Sequence, residues 1–460
     1  RMECVMSDLS DLIGGGGGGQ VLEATASGTL ANGDLVSVNS DGTVSVTAGQ
    51  TASIGSEVNW SNPWSTNTEG PNGVFDPSTN KVVLIYKGES YNRGYAIVGT
   101  VSGSTISFGS ATQYSTDSGI YSAGYAVFDS SANKVVILYP DAGNSNYGTA
   151  KVCTISGSSI SFGSPVVFQS DFTAVINACF DSNSNQIVAI IYNSKVVIGS
   201  VSGTSTSWGS LASFSYDNQA YLDFDTTSNK VVAFYRGVSN YSTAKVGTVT
   251  GTTISFGTAV VVQSSTQENP SCAYDASANK TIFCWKSVKG YAALGTVSGT
   301  SISVTTPVLF YDGDPQYVSV VHASGAATNV IAMNPGVLTA KVSGSDITFG
   351  SLTSLSETEP FAIYDSNVNK VVIHERNVSA QVYTPEFTNY TSYIGISDAA
   401  YSSGATATVQ IVGSVDDAQS GLSAGATYYV QSDGSLGTAA DTVPVLAGTA
   451  VASTKLIIKG

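Results

Sequence analysis

The chain has 460 residues, a formal net charge of −15, only 11% charged residues and 48 glycines. A surface of that sign repels phosphate, which argues against nucleic acid as a partner. No apolar run approaches the ~20 residues of a membrane-spanning helix, so membrane insertion is not expected. Val, Thr and Tyr are abundant beside Gly, Asn, Asp and Ser, and no long helical periodicity occurs, so the expected class is all-β.

The first segment, residues 1–23, reads as a peptide and tether. "RMECVMSDLSDLIGG" lacks the apolar core of a signal peptide. The six glycines Gly14–Gly19 sample most of backbone space and form a flexible link. They lack the lysine and the strand–helix setting of a phosphate-binding loop. The preceding "SDLSDLI" is read either as a docking peptide or as a free tail. Residues 24–50 follow with a glycine turn, an alternating strand and Ser-Asp-Gly, a hairpin signal.

Residues 51–385 are built from two recurring phrases. One is "FDPSTNKVVLIY" at 75–86, repeated as "FDSSANKVVILY", "FDSNSNQIVAII", "FDTTSNKVVAFY", "YDASANKTIFCW" and "YDSNVNKVVIHE". The other is "GTVSGSTISFGS" at 99–110, with five later relatives. A degenerate unit carries Gly325 at the Asp position and Asn329 at the Asn position. Seven units of about 48 residues, each parsed as four antiparallel strands, predict a seven-bladed β-propeller. The Asp-x-x-x-Asn loop is expected to close a turn through its carboxylate, in preference to binding calcium, because the glycine and distal Glu of a calcium loop are missing. The seventh unit stops after "SAQVYTP" at 379–385. "ASIGSEVNWS" at 52–61 has the missing pattern, so strand 52–60 is expected to complete the last blade.

Residues 386–460 repeat the pattern of the N-terminal flank. "SGLSAGATYYVQSDGSL" at 420–436 parallels "SGTLANGDLVSVNSDGTV" at 27–44, and "SSGATATVQIVG" at 402–413 is a weaker third version. Segments 24–50 and 386–460 are therefore read as one split small β-domain into which the propeller is inserted. These flanks resemble β-domains of tailed-phage tail-fibre and capsid-decoration proteins. The "VGTVSGTSISFGSPVVF" repeats resemble those of marine-phage appendage proteins. The resemblance implies a virion surface protein that contacts other virion proteins of capsid or tail, forms a homo-oligomer such as a trimer, and supplies no catalytic motif.

The five cysteines lack the spacing of a zinc site, and Cys272 and Cys284 are expected to face each other across one hairpin as free thiols. His322 and His374 read as packing residues. Function is placed on the loops between second and third strands and between blades, which vary in length and type. They carry Trp60, Trp64, Tyr91, Arg93, Asp117, Tyr121, Asp171, Tyr216, Asp217, Glu268, Asp312, Asp314, Tyr317, Glu357 and Glu359. Aromatic faces and carboxylates suit a host cell-surface glycan or receptor. Six residues past the Lys of each "NKVV" stand Lys87, Pro140, Tyr192, Arg236, Lys286, Gly336 and Arg376. This partial basic ring is expected either to receive an anionic glycan or to pair with the acidic loops. No cofactor or metal is expected. A glycoside hydrolase is the alternative, but nothing sets two carboxylates at catalytic separation, so the chain reads as a non-enzyme. A purely structural capsid decoration is the other alternative.

Overall fold

The computed structural model describes residues 20–459 except 40–41, 48, 51, 61–67, 89–92, 116–119, 121, 217–218, 356–358, 377–378, 386, 389–391, 432–433 and 441–443. The chain divides into two compact units, residues 52–385 and the pair 1–51 with 386–460.

Among the described residues, the larger unit holds seven five-stranded antiparallel sheets. Their first strands are Thr68–Asp76, Tyr125–Asp129, Val175–Asp181, Ala220–Asp225, Glu268–Asp275, Gln316–Ala323 and Phe361–Asp365, for blades 1 to 7. Each lies against the first strand of the next blade, and that of blade 7 lies against that of blade 1. The sheets therefore form a closed ring, a β-propeller. Blade 7 draws its outer strands from the start of the unit. Ser53 and Ile54 pair with Thr384 and Tyr383, and Val58 and Asn59 pair with Ala380 and Ser379.

Local chemistry explains the repeated phrases. The second strand is covered by sheets on both faces, so it reads as an unbroken apolar run: Val82, Val83, Leu84, Ile85 and Tyr86 are all fully buried. The Asp before it accepts from the turn it heads. Asp129 Oδ1 takes the N–H groups of Ser131 and Ala132 and the Ser131 hydroxyl. Asp181, Asp225 and Asp275 likewise accept the two backbone N–H groups of their own turns. The Asn that ends the turn is left-handed in every copy, with φ from 51° to 55° at Asn80, Asn133, Asn185, Asn229, Asn279 and Asn369. The following Lys reaches the Thr of the third strand: Lys81 Nζ donates to Thr100 Oγ1 at 2.8 Å, and Lys280 Nζ to Thr296 Oγ1 at 2.7 Å.

The "SISFGSxVxF" segment, expected as one fourth strand, is two. In blade 2, Ser159–Phe162 pairs with the C-terminal half of the third strand, Tyr147–Ser156, and Val166–Phe172 with its N-terminal half. The break is the glycine. A Cβ on Gly163 would stand 2.1 Å from the carbonyl oxygen of Thr204, in the "VSG" turn of blade 3. Gly55, Gly109, Gly209 and Gly257 meet the corresponding turns of their next blades at 1.8–2.4 Å. The two phrases thus dock one blade's edge onto the next blade's turn.

Two expectations are corrected here. In blade 6, Ala323 pairs with Thr328 as Asp275 pairs with Lys280 in blade 5, and Ala327 is the left-handed residue. Ala323 and Ala327 therefore hold the Asp and Asn positions, not Gly325 and Asn329. Asn329 instead lies in the second strand and donates to Asp275 Oδ2 at 2.8 Å, tying blade 6 to the turn of blade 5. Cys284 pairs with Ser271 and Cys272 with Phe283, so the two thiols point to opposite faces of the blade 5 sheet and enter different core clusters.

Among its described residues the smaller unit contains two five-stranded sheets and a two-stranded ladder of Gly49–Gln50 with Phe387–Thr388. One sheet is shared by both flanks: Val21–Thr25 pairs with Thr406–Gln410, and Leu35–Val38 with Tyr393–Ser397. Ordered strand thus begins at Val21, three residues inside the segment read as tether, because "VLEAT" finds a partner in 406–410. The other sheet is wholly C-terminal, from Val415–Asp416 through Lys455–Ile458. The duplicated phrases fold alike. Gly42 N donates to Asn39 O as Gly434 N does to Gln431 O, and φ is 81° and 83° at the two glycines.

Candidate functional site on the variable face

First-to-second turns and third-to-fourth turns lie at one end of the blades, the Asp-loop face. Second-to-third loops and blade connections lie at the other, the variable face. Of the residues expected to form a site, Trp64, Tyr91, Tyr121 and Asp217 lie outside the described residues, as do Asp117 and Glu357.

Trp60 is a core residue. It is 5% exposed and packs its ring against Phe108 at 4.8 Å, His374 at 5.4 Å and Tyr86 at 5.7 Å. It follows the closing strand directly and packs in the seam between blades 7 and 1. Tyr216 is half-buried. Its hydroxyl donates to Ile191 O at 2.8 Å and its ring leans on Phe214, so it pins its loop to blade 3. Arg93 follows the blade 1 loop and its carbonyl accepts from Gly88. Arg236 ends the second strand of blade 4, its N–H donating to Gln219 O.

The structure does bring Lys286, Tyr317 and Arg376 into ion-paired clusters on blades 5 to 7. Lys286 Nζ lies 3.1 Å from Glu268 Oε2 and 3.0 Å from Asp314 Oδ1. Burial works against the ammonium, but hydrogen bonds to Asp314 and Glu268 outweigh it and raise its pKa. Gln316 donates to Asp314, and Lys289 pairs with Asp312. Arg376 donates to Glu359 Oε1 at 2.6 Å, and the Tyr317 hydroxyl bonds the same carboxylate. Tyr317 (φ 55°) and Glu359 (φ 58°) are left-handed non-glycine residues, a costly backbone state that clusters where structure is over-determined. Lys286 and Arg376 of the expected ring thus pair with the acidic loops. The corrected register of blade 6 replaces Gly336 by Asn334 in that ring.

A second concave region lies on the axis. The seven first strands line a cavity of about 550 Å³ that reaches the Asp-loop face at Pro77, Thr226, Ala276 and Ser366. Inner sheet edges carry unpaired N–H groups, and side chains of the preceding blade satisfy several of them. Asn72 Oδ1 accepts from Ala126, Asn177 Oδ1 from Leu222, Ser271 Oγ from Val320 and Ser319 Oγ from Ala362. Tyr125 and Tyr221 occupy the same tier. Their hydroxyls meet at 3.2 Å, and the Tyr125 ring meets Phe361 of blade 7 edge-on at 6.3 Å.

One tier nearer the mouth stands Asp223, which sequence reasoning missed. Its Oδ2 accepts from Tyr274 N at 2.6 Å and its Oδ1 from Phe224 N at 2.8 Å. Burial raises its pKa to about 6 against the pull of those two bonds. The equivalent residues are Val74, Val127, Cys179, Ala273, Val321 and Ile363. A single carboxylate at an otherwise uncharged position was the signal available in the sequence. Of the two histidines, His374 is fully buried with Nδ1 donating to Asn72 O, whereas His322 lines the cavity beside Asn329.

No family model matches the chain, and no curated protein matches it. Among solved structures it is similar to a protein from Lactobacillus plantarum, at 10% identity and a TM-score of 0.51, over 64% of this chain and 88% of that one. The C-terminal WD40 domain of Sif2 gives 9% identity and a TM-score of 0.46, over 69% of this chain and 96% of that domain. At such identity the likeness concerns fold alone, and the strand pairing described above is what defines the ring.

Proposed function

We propose that this chain is a non-catalytic surface protein of a tailed-phage particle. The split β-domain attaches it to capsid or tail as a homo-oligomer. The propeller presents its variable face for multivalent attachment to a host-surface glycan or receptor. The observation that supports the reading best is the insertion itself. A rigid closed ring sits within a domain whose two flanks, paired in one sheet at 21–25 with 406–410, resemble phage virion β-domains. The paired clusters around Lys286 and Arg376 also suit presentation, since they hold the blade 5 to 7 loops in one shape before any partner arrives.

Immunogold labelling of purified particles carrying this gene tests the location, and adsorption of the fluorescent full-length chain to host cells tests the role. Labelled particles and saturable adsorption are expected. Absence from purified particles overturns the virion assignment. Presence without adsorption, together with loss of shells when the protein is removed, assigns a structural decoration instead. Release of reducing sugar from host polysaccharide overturns the non-catalytic reading.

A further inference from the structure

We propose that the axial cavity binds a small organic ammonium ion, with the Asp223 carboxylate as its counter-charge. This does not rest on the attachment reading, since the cavity opens on the Asp-loop face. Its volume of about 550 Å³ lies within the range of small-molecule sites. The lining is largely apolar and aromatic: Tyr125, Tyr221 and Phe361 at the end far from the Asp-loop face, Phe128, Phe180 and Tyr364 toward the mouth. No lysine or arginine is among the lining residues, and no cation pairs with Asp223 among the described residues.

An ionised carboxylate out of bulk water is costly unless it is paired. Asp223 accepts one backbone N–H on each oxygen, which leaves about two of its four lone-pair sites open. It stands two residues inside the turn aspartate Asp225, about 7 Å along the strand from the mouth. An ammonium entering from the Asp-loop face reaches the carboxylate with its alkyl groups against ring faces and edges, where cation–π attraction adds to charge pairing. A hard metal ion needs six or more oxygen ligands and a single carboxylate does not supply them. The tier's other members are uncharged in all six remaining blades, and burial holds the one lining histidine, His322, toward its neutral form, so the lining carries one charge at one place, which suits a ligand with a single positive group.

Calorimetry of the full chain with choline chloride, and with its uncharged isostere 3,3-dimethylbutan-1-ol, tests this. Choline is expected to bind one per chain, and the isostere at least about tenfold more weakly. Asp223→Asn keeps the acceptor for Tyr274 N–H and is expected to lower choline affinity at least about tenfold, with Asp223→Ser as a second variant. Sedimentation with phosphatidylcholine vesicles separates the sources: co-sedimentation assigns a lipid headgroup, and binding of free choline alone assigns a soluble amine. Should neither variant fold, the wild-type comparison of choline with its isostere decides by itself. No choline binding, equal binding of the isostere, or unchanged affinity in Asp223→Asn overturns the proposal.

Discussion

Asp223, half-buried on the cavity wall, and His374, fully buried, titrate in opposing senses. The Asp223 carboxyl titrates at about 6 in the fold against an ordinary 3.8, chiefly because burial disfavours its charge. Its contribution to stability is full below pH 4 and is lost as pH rises through 6. His374, driven down to about 4 from 6.5 by burial, contributes stability above pH 6.5 that is lost as pH falls through 4. Each shift corresponds to about 3 kcal/mol at most, so over pH 4 to 6.5 the two slopes largely cancel. Asp223→Asn removes one of them. Thermal or urea unfolding of that variant is expected to show a loss of about 2–3 kcal/mol between pH 7 and pH 4 beyond that of the wild type. A variant whose profile parallels the wild type contradicts the assigned environment of Asp223. Little of this was legible in the sequence. His374 sits in a strand phrase and was readable as packing, but Asp223 lies just outside the repeated phrase. Its isolation depends on side chains from other blades.

At the scale of strands and turns, glycines of two kinds separate by what surrounds them. Gly103 is left-handed (φ 59°) in an open turn, with nothing within 4 Å of an added methyl, so Gly103→Ala is expected to cost about 1–2 kcal/mol. Gly109 has an ordinary φ, but a Cβ there meets Ser158 O at 1.9 Å across the seam to blade 2. Gly109→Ala is therefore expected to cost more, above about 3 kcal/mol, because two backbones must separate. Urea unfolding of both variants checks the order, and equal costs contradict the seam. Ion pairs on the variable face are worth less. Lys286→Met is expected to lower stability by under about 1 kcal/mol, since both its carboxylate partners are well exposed. A loss of several kcal/mol in the same unfolding assay contradicts that. The blades were readable because residue type and backbone state repeat together: Asp accepts, Asn turns left-handed, Lys finds Thr. Blade 6 lost that lock. With neither Asp nor Asn in its turn, residue types aligned Asn329 with the wrong column, whereas the register follows the left-handed Ala327. The loop clusters were partly legible, as Glu359 with Arg376 shows, because charges of opposite sign occur at matched strand ends. Their pairing is fixed by loop conformations that no repeat encodes.

For the whole molecule, the decisive feature is that the ring is closed by a segment far away in sequence. Residues 53–59 lie more than 300 positions from their partners 379–384, so closure joins the two ends of an array that otherwise leaves a three-stranded last blade. The same pairing explains why Trp60 is buried: the strand that latches the ring also delivers its indole into the seam. It also accounts for the insertion, since the chain leaves and re-enters the small domain at 49–50 and 387–388, which pair with each other. The most direct measurement is a cysteine cross-link across the latch. Asn59 and Ser379 are paired directly, and the Cα separation of directly opposed antiparallel residues lies in the range a disulfide spans. Oxidised Asn59→Cys/Ser379→Cys is predicted to yield one peptide joining the two positions by mass spectrometry, with a raised unfolding temperature. Two separate peptides with both introduced thiols free would contradict the latched ring.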